Sequence, residues 1–151
     1  LKKYKHLIVS PHYTNNSVVR MINKEIENHK IGLKSGIRLK LNAITNFKMI
    51  EKLYEASCEG VPIKMIIRGI CCLIPGVKNM SENIEVISII DKYLEHPRVY
   101  IFENGGTPKI YLSSADFMTR NIENRVEVAV PIYDNKLQQE ILDEKKTFKF
   151  K

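Results

Sequence analysis

The chain has 151 residues, 44% of them hydrophobic, which suits one domain with a real core and argues against wholesale disorder. Lysine and arginine outnumber aspartate and glutamate by 24 to 17, a formal charge of +7, so the surface favours polyanions such as nucleic acid, nucleotides, condensed phosphate or an anionic membrane. No apolar run approaches the roughly 20 residues of a membrane span, and Leu1-Lys2-Lys3-Tyr4-Lys5 has neither the apolar core nor the cleavage site of a secretory signal.

His6-Leu7-Ile8-Val9-Ser10 reads as a short buried strand ending at Pro11. Asn15-Asn16-Ser17 offers N-cap residues to a helix whose stripe is Val18, Val19, Ile22 and Ile26, and which stops near Gly32. Ile37-Arg38-Leu39-Lys40-Leu41 alternates as a half-buried strand does. Thr45 or Asn46 caps a second helix carrying Met49, Ile50, Leu53 and Tyr54, with Gly60 as its stop. Val61 to Arg68 is a third strand that tolerates Pro62 only at its start. Gly69 to Met80 reads as a loop, and Ser81-Glu82-Asn83 as the cap of a third helix with Ile84, Ile87, Ile90 and Leu94.

Arg98–Phe102 and Lys109–Ser113 form a hairpin around Asn104-Gly105-Gly106. Arg125 to Ile132 alternates as another strand, Asn135 to Leu142 is helical in pattern, and the charged end from Glu144 to Lys151 reads as a frayed helix or a tail. Alternation of strands and helices, then strands joined by short turns, predicts one α/β domain with a mixed β-sheet flanked by helices. The three cysteines are odd in number and Cys71 and Cys72 are adjacent, which fits reducing cytosol better than a disulfide framework. With no base placed beside them, Cys58, Cys71 and Cys72 read as buried thiols.

The chemistry-bearing residues gather at strand ends. His96 precedes Pro97, which biases it to extended backbone, and Arg98 follows two residues later on the same face of a regular strand. Imidazole can transfer a proton or attack phosphorus, and guanidinium can clamp phosphate oxygens. The same triplet also fits an ordinary loop–strand junction. Arg68 closes an apolar strand and precedes Gly69, at the carboxyl end where α/β sheets bind ligands. It equally fits an arginine facing water. Arg120 either reaches the same pocket or pairs with Asp116 or Glu123. Ser113 and Ser114 offer hydroxyls that most often satisfy backbone groups. Asp116 either binds a metal through water or orients Arg120. His6, His12 and His29 read as solvated or packing residues. Neither G-x-x-x-x-G-K-[ST] nor G-x-G-x-x-G is present, against a P-loop or Rossmann site.

Five ordered blocks resemble the C-terminal region of bacterial polyphosphate kinase of the long-chain-synthesising type. They are Leu53-Tyr54-Glu55-Ala56-Ser57, Ile67-Arg68-Gly69-Ile70-Cys71-Cys72-Leu73, Ser81-Glu82-Asn83-Ile84, Tyr93-Leu94-Glu95-His96, and the run from Tyr111 to Asn121, which Arg125-Val126-Glu127-Val128 continues. Phe117 stands where the family is expected to have tryptophan. The resemblance implies that residues 1–151 are the second, C-terminal phospholipase-D-like domain of such an enzyme, a fragment of a longer chain that begins here with Leu1.

That resemblance implies a reaction: reversible transfer of the ATP γ-phosphate to polyphosphate through a phosphohistidine in the preceding, absent domain. The resemblance implies that Arg68 and His96 contact the nucleotide phosphates, with His96 catalytic; from the strand-end reading, Arg98, Arg120, Ser113 and Ser114 are expected to join them in binding ATP or phosphate. The Mg2+ ligands are expected upstream. The implied partners are ATP, ADP, polyphosphate and the upstream catalytic domain, with a homo-oligomer left open and nucleic acid not expected. The implied place is the cytoplasm or the inner face of its membrane. Two rivals stand beside it. One is a phospholipase-D-like nuclease or phosphodiesterase half, in which Arg98 would replace a lysine. The other is a non-catalytic polyanion-binding module, for which the scattered basic residues and absent tryptophan give no stacking platform.

Overall fold

The computed structural model describes residues 8–9, 14–89, 98–114, 116–118 and 128–143. Their strands are β1 (Ile8–Val9), β2 (Ile37–Leu41), β3 (Ile63–Ile67), β4 (Ile84–Ser88), β5 (Arg98–Phe102), β6 (Lys109–Ser113) and β7 (Val128–Pro131). The helices are α1 (Thr14–Lys30), α2 (Phe47–Cys58) and α3 (Asn135–Leu142). The strands form one mixed sheet in the order β1-β7-β6-β5-β2-β3-β4. β2, β3 and β4 run parallel, while β5, β6, β7 and β1 continue the sheet antiparallel.

These directions decide where function can sit. The carboxyl ends of β2, β3, β4 and β6 and the starts of β5 and β7 all meet at one edge, termed here the upper edge. On one face of the sheet, Leu39, Met65, Tyr100 and Phe102 pack under Val18 and Ile22 of α1 and Met49 and Leu53 of α2. Each fully buried aliphatic side chain there contributes about 1.5–3 kcal/mol. A smaller cluster on the other face joins Ile66, Val99, Ile101 and Ile110 to Ile141 and Leu142 of α3.

Local chemistry sets the boundaries. Asn46 caps α2 by accepting from the Met49 N–H at 3.0 Å, and Asp134 does the same for α3 through Leu137 at 2.9 Å. In the β5–β6 hairpin, Asn104 (φ 49°) and Gly105 (φ 71°) are both left-handed, which is what an Asn-Gly pair accommodates. At the lower edge the buried Glu25 of α1 accepts from the backbone N–H groups of Gly36 (3.1 Å) and Asn104 (2.7 Å), tying that hairpin to the loop before β2.

Three expectations need correction. The segment after Ser81 is not a helix: Ile84–Ser88 is β4, paired in parallel with β3. Ile84 and Ile87 satisfy a helical period, but Ile84 and Val86 also satisfy a period of two, and β-branched residues favour the strand. Ser81 does not cap a helix there; its hydroxyl accepts from the Val77 N–H and donates to the Ile74 carbonyl, folding the preceding loop. The first helix begins at Thr14, before the expected caps. All three cysteines are exposed rather than buried, because Cys58 ends α2 against the loop carbonyl of Asn79 and Cys71 and Cys72 lie in an edge loop. Ile90, Leu94, Arg125–Glu127 and the tail from Glu144 lie outside the described residues.

Candidate active-site edge

Beyond Leu41 the chain leaves the sheet and settles between two other loops. Ile44 forms parallel bridges with Cys71 on one side and Phe117 on the other. The Ile44 N–H donates to the Ile70 carbonyl and its carbonyl accepts from Cys72 N–H, both at 2.9 Å. The Phe117 carbonyl accepts from Thr45 (2.9 Å) and Asn46 (2.8 Å), while the buried Phe117 ring lies 5.2 Å from that of Tyr100. An aromatic residue is therefore what position 117 needs.

Asp116 is the polar centre of this arrangement and is 4% exposed. It receives Arg98 through two bonds, Nε to Oδ1 at 3.2 Å and Nη2 to Oδ2 at 3.1 Å. Its Oδ1 also accepts the Asn42 N–H at 2.7 Å. One carboxylate so fixes the start of β5, the turn after β2 and the loop after β6. The partner expected for Asp116 was Arg120 or a metal; the partner found is Arg98. Arg120 and His96 lie outside the described residues.

Arg68 sits directly after β3, where its N–H bonds the Leu41 carbonyl at 3.2 Å. Among the described residues, no carboxylate or carbonyl engages its guanidinium. Gly69 follows with its N–H 2.7 Å from the Asn42 carbonyl, and a Cβ there would stand 2.9 Å from that oxygen. Glycine is thus required for the close approach that holds Arg68 beside Asn42. β3 and β5 flank β2, so their backbones are two strand spacings apart, about 10 Å.

Ser113 is the register partner of Arg98 and is buried. Ser114 accepts the Val128 N–H on its hydroxyl at 3.2 Å, while its own N–H bonds the Val128 carbonyl. The structure thus brings Arg68, Arg98, Ser113 and Ser114 to the upper edge. It adds Asn42, Gly69 and the Arg98–Asp116 pair. Asn42 carried no sequence signal, since its contribution is a backbone N–H. With Asp116 saturated by Arg98 and Asn42, the described residues of this edge do not fit a divalent-cation site.

The mixed sheet with helices on both faces has the fold of the phospholipase-D-like class. A phospholipase D family member, Nuc from Salmonella typhimurium, superposes with a TM-score of 0.63 at 19% identity, covering 91% of this chain and 88% of that one. At that identity the likeness concerns the fold alone.

Residues 7–148 match the polyphosphate kinase C-terminal domain 2 family, and the chain belongs to that family. Polyphosphate kinase from Escherichia coli K12 is 51% identical over 140 residues, 93% of this chain. The crystal structure of polyphosphate kinase from Porphyromonas gingivalis superposes with a TM-score of 0.89 at 42% identity, covering 93% of this chain and 22% of that one. The chain spans about a fifth of the length of the curated relatives it matches. No helix among the described residues is long and apolar enough to cross a membrane.

Proposed function

We propose that this chain forms part of the catalytic core of a polyphosphate kinase that reversibly transfers the ATP γ-phosphate to polyphosphate. Transfer runs through a phosphohistidine carried by a preceding domain of the same polypeptide. Arg68 and His96 contact the phosphates on this side. Arg68 neutralises oxygen charge as the transferring group loosens from its leaving oxygen. His96 donates a proton or a hydrogen bond to the leaving or entering phosphate. Arg98 contributes less charge than Arg68, since Asp116 balances it, and its main task is to hold the edge in register. Arg120, Ser113 and Ser114 complete the proposed phosphate contacts. Mg2+, where the reaction uses it, is assigned to the preceding domain, since Asp116 does not fit as its ligand.

The observation that carries this reading is the contrast between the two described arginines of the upper edge, Arg98 and Arg68. One is locked to a buried carboxylate, and the other stands at the carboxyl ends of the parallel strands with its guanidinium unengaged among the described residues. The test is the full-length enzyme bearing His96→Ala. Polyphosphate synthesis from ATP is expected to fall by about a hundredfold or more, with the melting temperature preserved. Wild-type rates in that variant would remove His96 from the mechanism.

A further inference from the structure

We propose that the loop from Gly69 to Val77, with the flank of α2 beside it, is the docking shelf for the preceding, histidine-bearing domain of the same polypeptide, an inference that rests on the function proposed above. Gly69-Ile70-Cys71-Cys72-Leu73-Ile74-Pro75-Gly76-Val77 is a run of nine residues without a charge, an amide or a hydroxyl on any side chain, in a chain that is 27% charged. Only Leu73 of this run is buried, in the main core. Ile70 and Ile74 are 62% and 60% exposed, and Cys71, Cys72 and Val77 are exposed with them.

Single exposed apolar residues are ordinary, whereas a contiguous set marks an interaction surface. Contiguity follows here from hydrogen bonds. The run starts against Ile44, which bridges Cys71, and α2 begins three residues after Ile44. It then passes Tyr54, whose phenol accepts the Ile74 N–H at 2.9 Å, and ends near Cys58, whose thiol donates to the Asn79 carbonyl at 3.3 Å. Phe47 lies seven positions before Tyr54, so both occupy one flank of α2, and Phe47 is 70% exposed. The same bonds stiffen the shelf. Ser81 adds to them, its carbonyl accepting the Gly76 N–H at 2.8 Å and its hydroxyl the Val77 N–H at 3.0 Å. Docking on a loop already held in this way carries little ordering cost.

Position selects the occupant. The run begins one residue after Arg68, at the upper edge. A phosphohistidine that reaches Arg68 is carried by protein lying against that edge, and the side chains this protein meets next are those of Ile70, Cys72 and Ile74. The exposed Lys48 and Lys78 follow Phe47 and Val77, which gives the apolar centre a charged rim, the anatomy of a protein interface. The curated relatives are about five times the length of this chain, so the same polypeptide can supply the cover.

Cys72, between Ile70 and Ile74, is a built-in probe. In the full-length enzyme carrying Ile31→Cys as an exposed reference, alkylation by a maleimide is followed peptide by peptide and divided by the rate in urea. Cys72 is expected to react at least about tenfold more slowly than the reference thiol, at nanomolar and micromolar enzyme alike. Equal rates overturn the proposal. Protection that vanishes on dilution assigns the shelf to a second copy and overturns it too. Amine cross-linking is expected to join Lys48 or Lys78 to the domain that carries the phosphohistidine, and links only to other parts of the polypeptide overturn that assignment. Ile74→Glu sets a carboxylate into the contact and is expected to bring Cys72 within about threefold of the reference. Undiminished protection in that variant counts against the shelf, and if the variant misfolds the rate in the enzyme without it still decides. Arg68→Ala separates the two readings: full turnover overturns the catalytic assignment, whereas Cys72 protection in that variant still reports on docking.

Discussion

Arg98 and Asp116, eighteen positions apart in the chain, form a two-point ion pair in which both side chains are largely out of solvent. The pair welds the first residue of β5 to the loop beyond β6. Removing one partner strands the other charge without compensation, which costs about 3–5 kcal/mol in such settings. Asp116→Ala is therefore expected to lower the unfolding free energy from urea titration by that order. Asp116→Asn still accepts from the Asn42 N–H and is expected to lose less. Equal loss in the two variants would show that the carboxylate acts only through its charge on Arg98.

Arg68 leads to the opposite expectation. Its guanidinium has no partner among the described residues, so folding gains little from it. Arg68→Ala is expected to leave the melting temperature within about a degree or two, since the half-buried side chain gives up no hydrogen bond or ion pair among the described residues. In the full-length enzyme the same change should lower kcat by about a hundredfold. Arg98→Ala should instead lose stability first, with activity falling as the edge loosens. Paired melting and steady-state measurements on both variants check this division, and identical behaviour would contradict it.

Much of the fold was legible because its signals are local. Asn46 and Gly60 mark the ends of α2, Asn104-Gly105 marks the hairpin, and the Asn135–Leu142 pattern is a helix. What failed was periodicity on short segments. Ile84-Glu85-Val86-Ile87 fits a helix and a strand alike, and only pairing with β3 decides it. Thiol exposure also escaped, because it depends on where a loop lies rather than on the residue type. At the site, Arg68 stood out through its place at a strand end. The match of Asp116 to Arg98 was hidden, since a carboxylate finds its cation through tertiary contact and Arg120 was nearer in sequence.

Gly69 shows how a residue without a side chain can govern a charged neighbour. An added Cβ would meet the Asn42 carbonyl oxygen at 2.9 Å, closer than such contacts normally come, and that oxygen belongs to rigid backbone. Gly69→Ala is expected to cost about 1–3 kcal/mol, as overpacking does, and to push the Arg68 turn away from Asn42. The nucleotide KM of the full-length enzyme should rise more than that of a control such as Gly76→Ala, where a Cβ meets nothing within 4 Å. Because Gly76 has a left-handed φ of 74°, the control carries backbone strain without crowding. A matching rise in the control would assign the effect to lost stability alone.

Glu25 supplies a pH dependence whose sign follows from its surroundings. Burial pushes its carboxyl above the usual 4.5; the Asn104 and Gly36 N–H groups pull it back in part, and the Glu103 charge raises it further. The folded chain thus holds a proton on Glu25 more tightly than the unfolded chain does. Between 4.5 and the raised value the native state carries more bound protons, so the contribution of Glu25 to stability falls as pH rises through that window, then levels off. Glu25→Gln abolishes this titration and leaves one of the two N–H groups without an acceptor, a loss of about 1–3 kcal/mol at neutral pH. The difference in urea midpoint between wild type and Glu25→Gln, measured from pH 4 upward at roughly half-unit steps, isolates the effect from other carboxylates. That difference should shrink with rising pH and then hold constant. A difference that grows instead would mean that the two backbone donors outweigh burial and hold the carboxyl below its ordinary range.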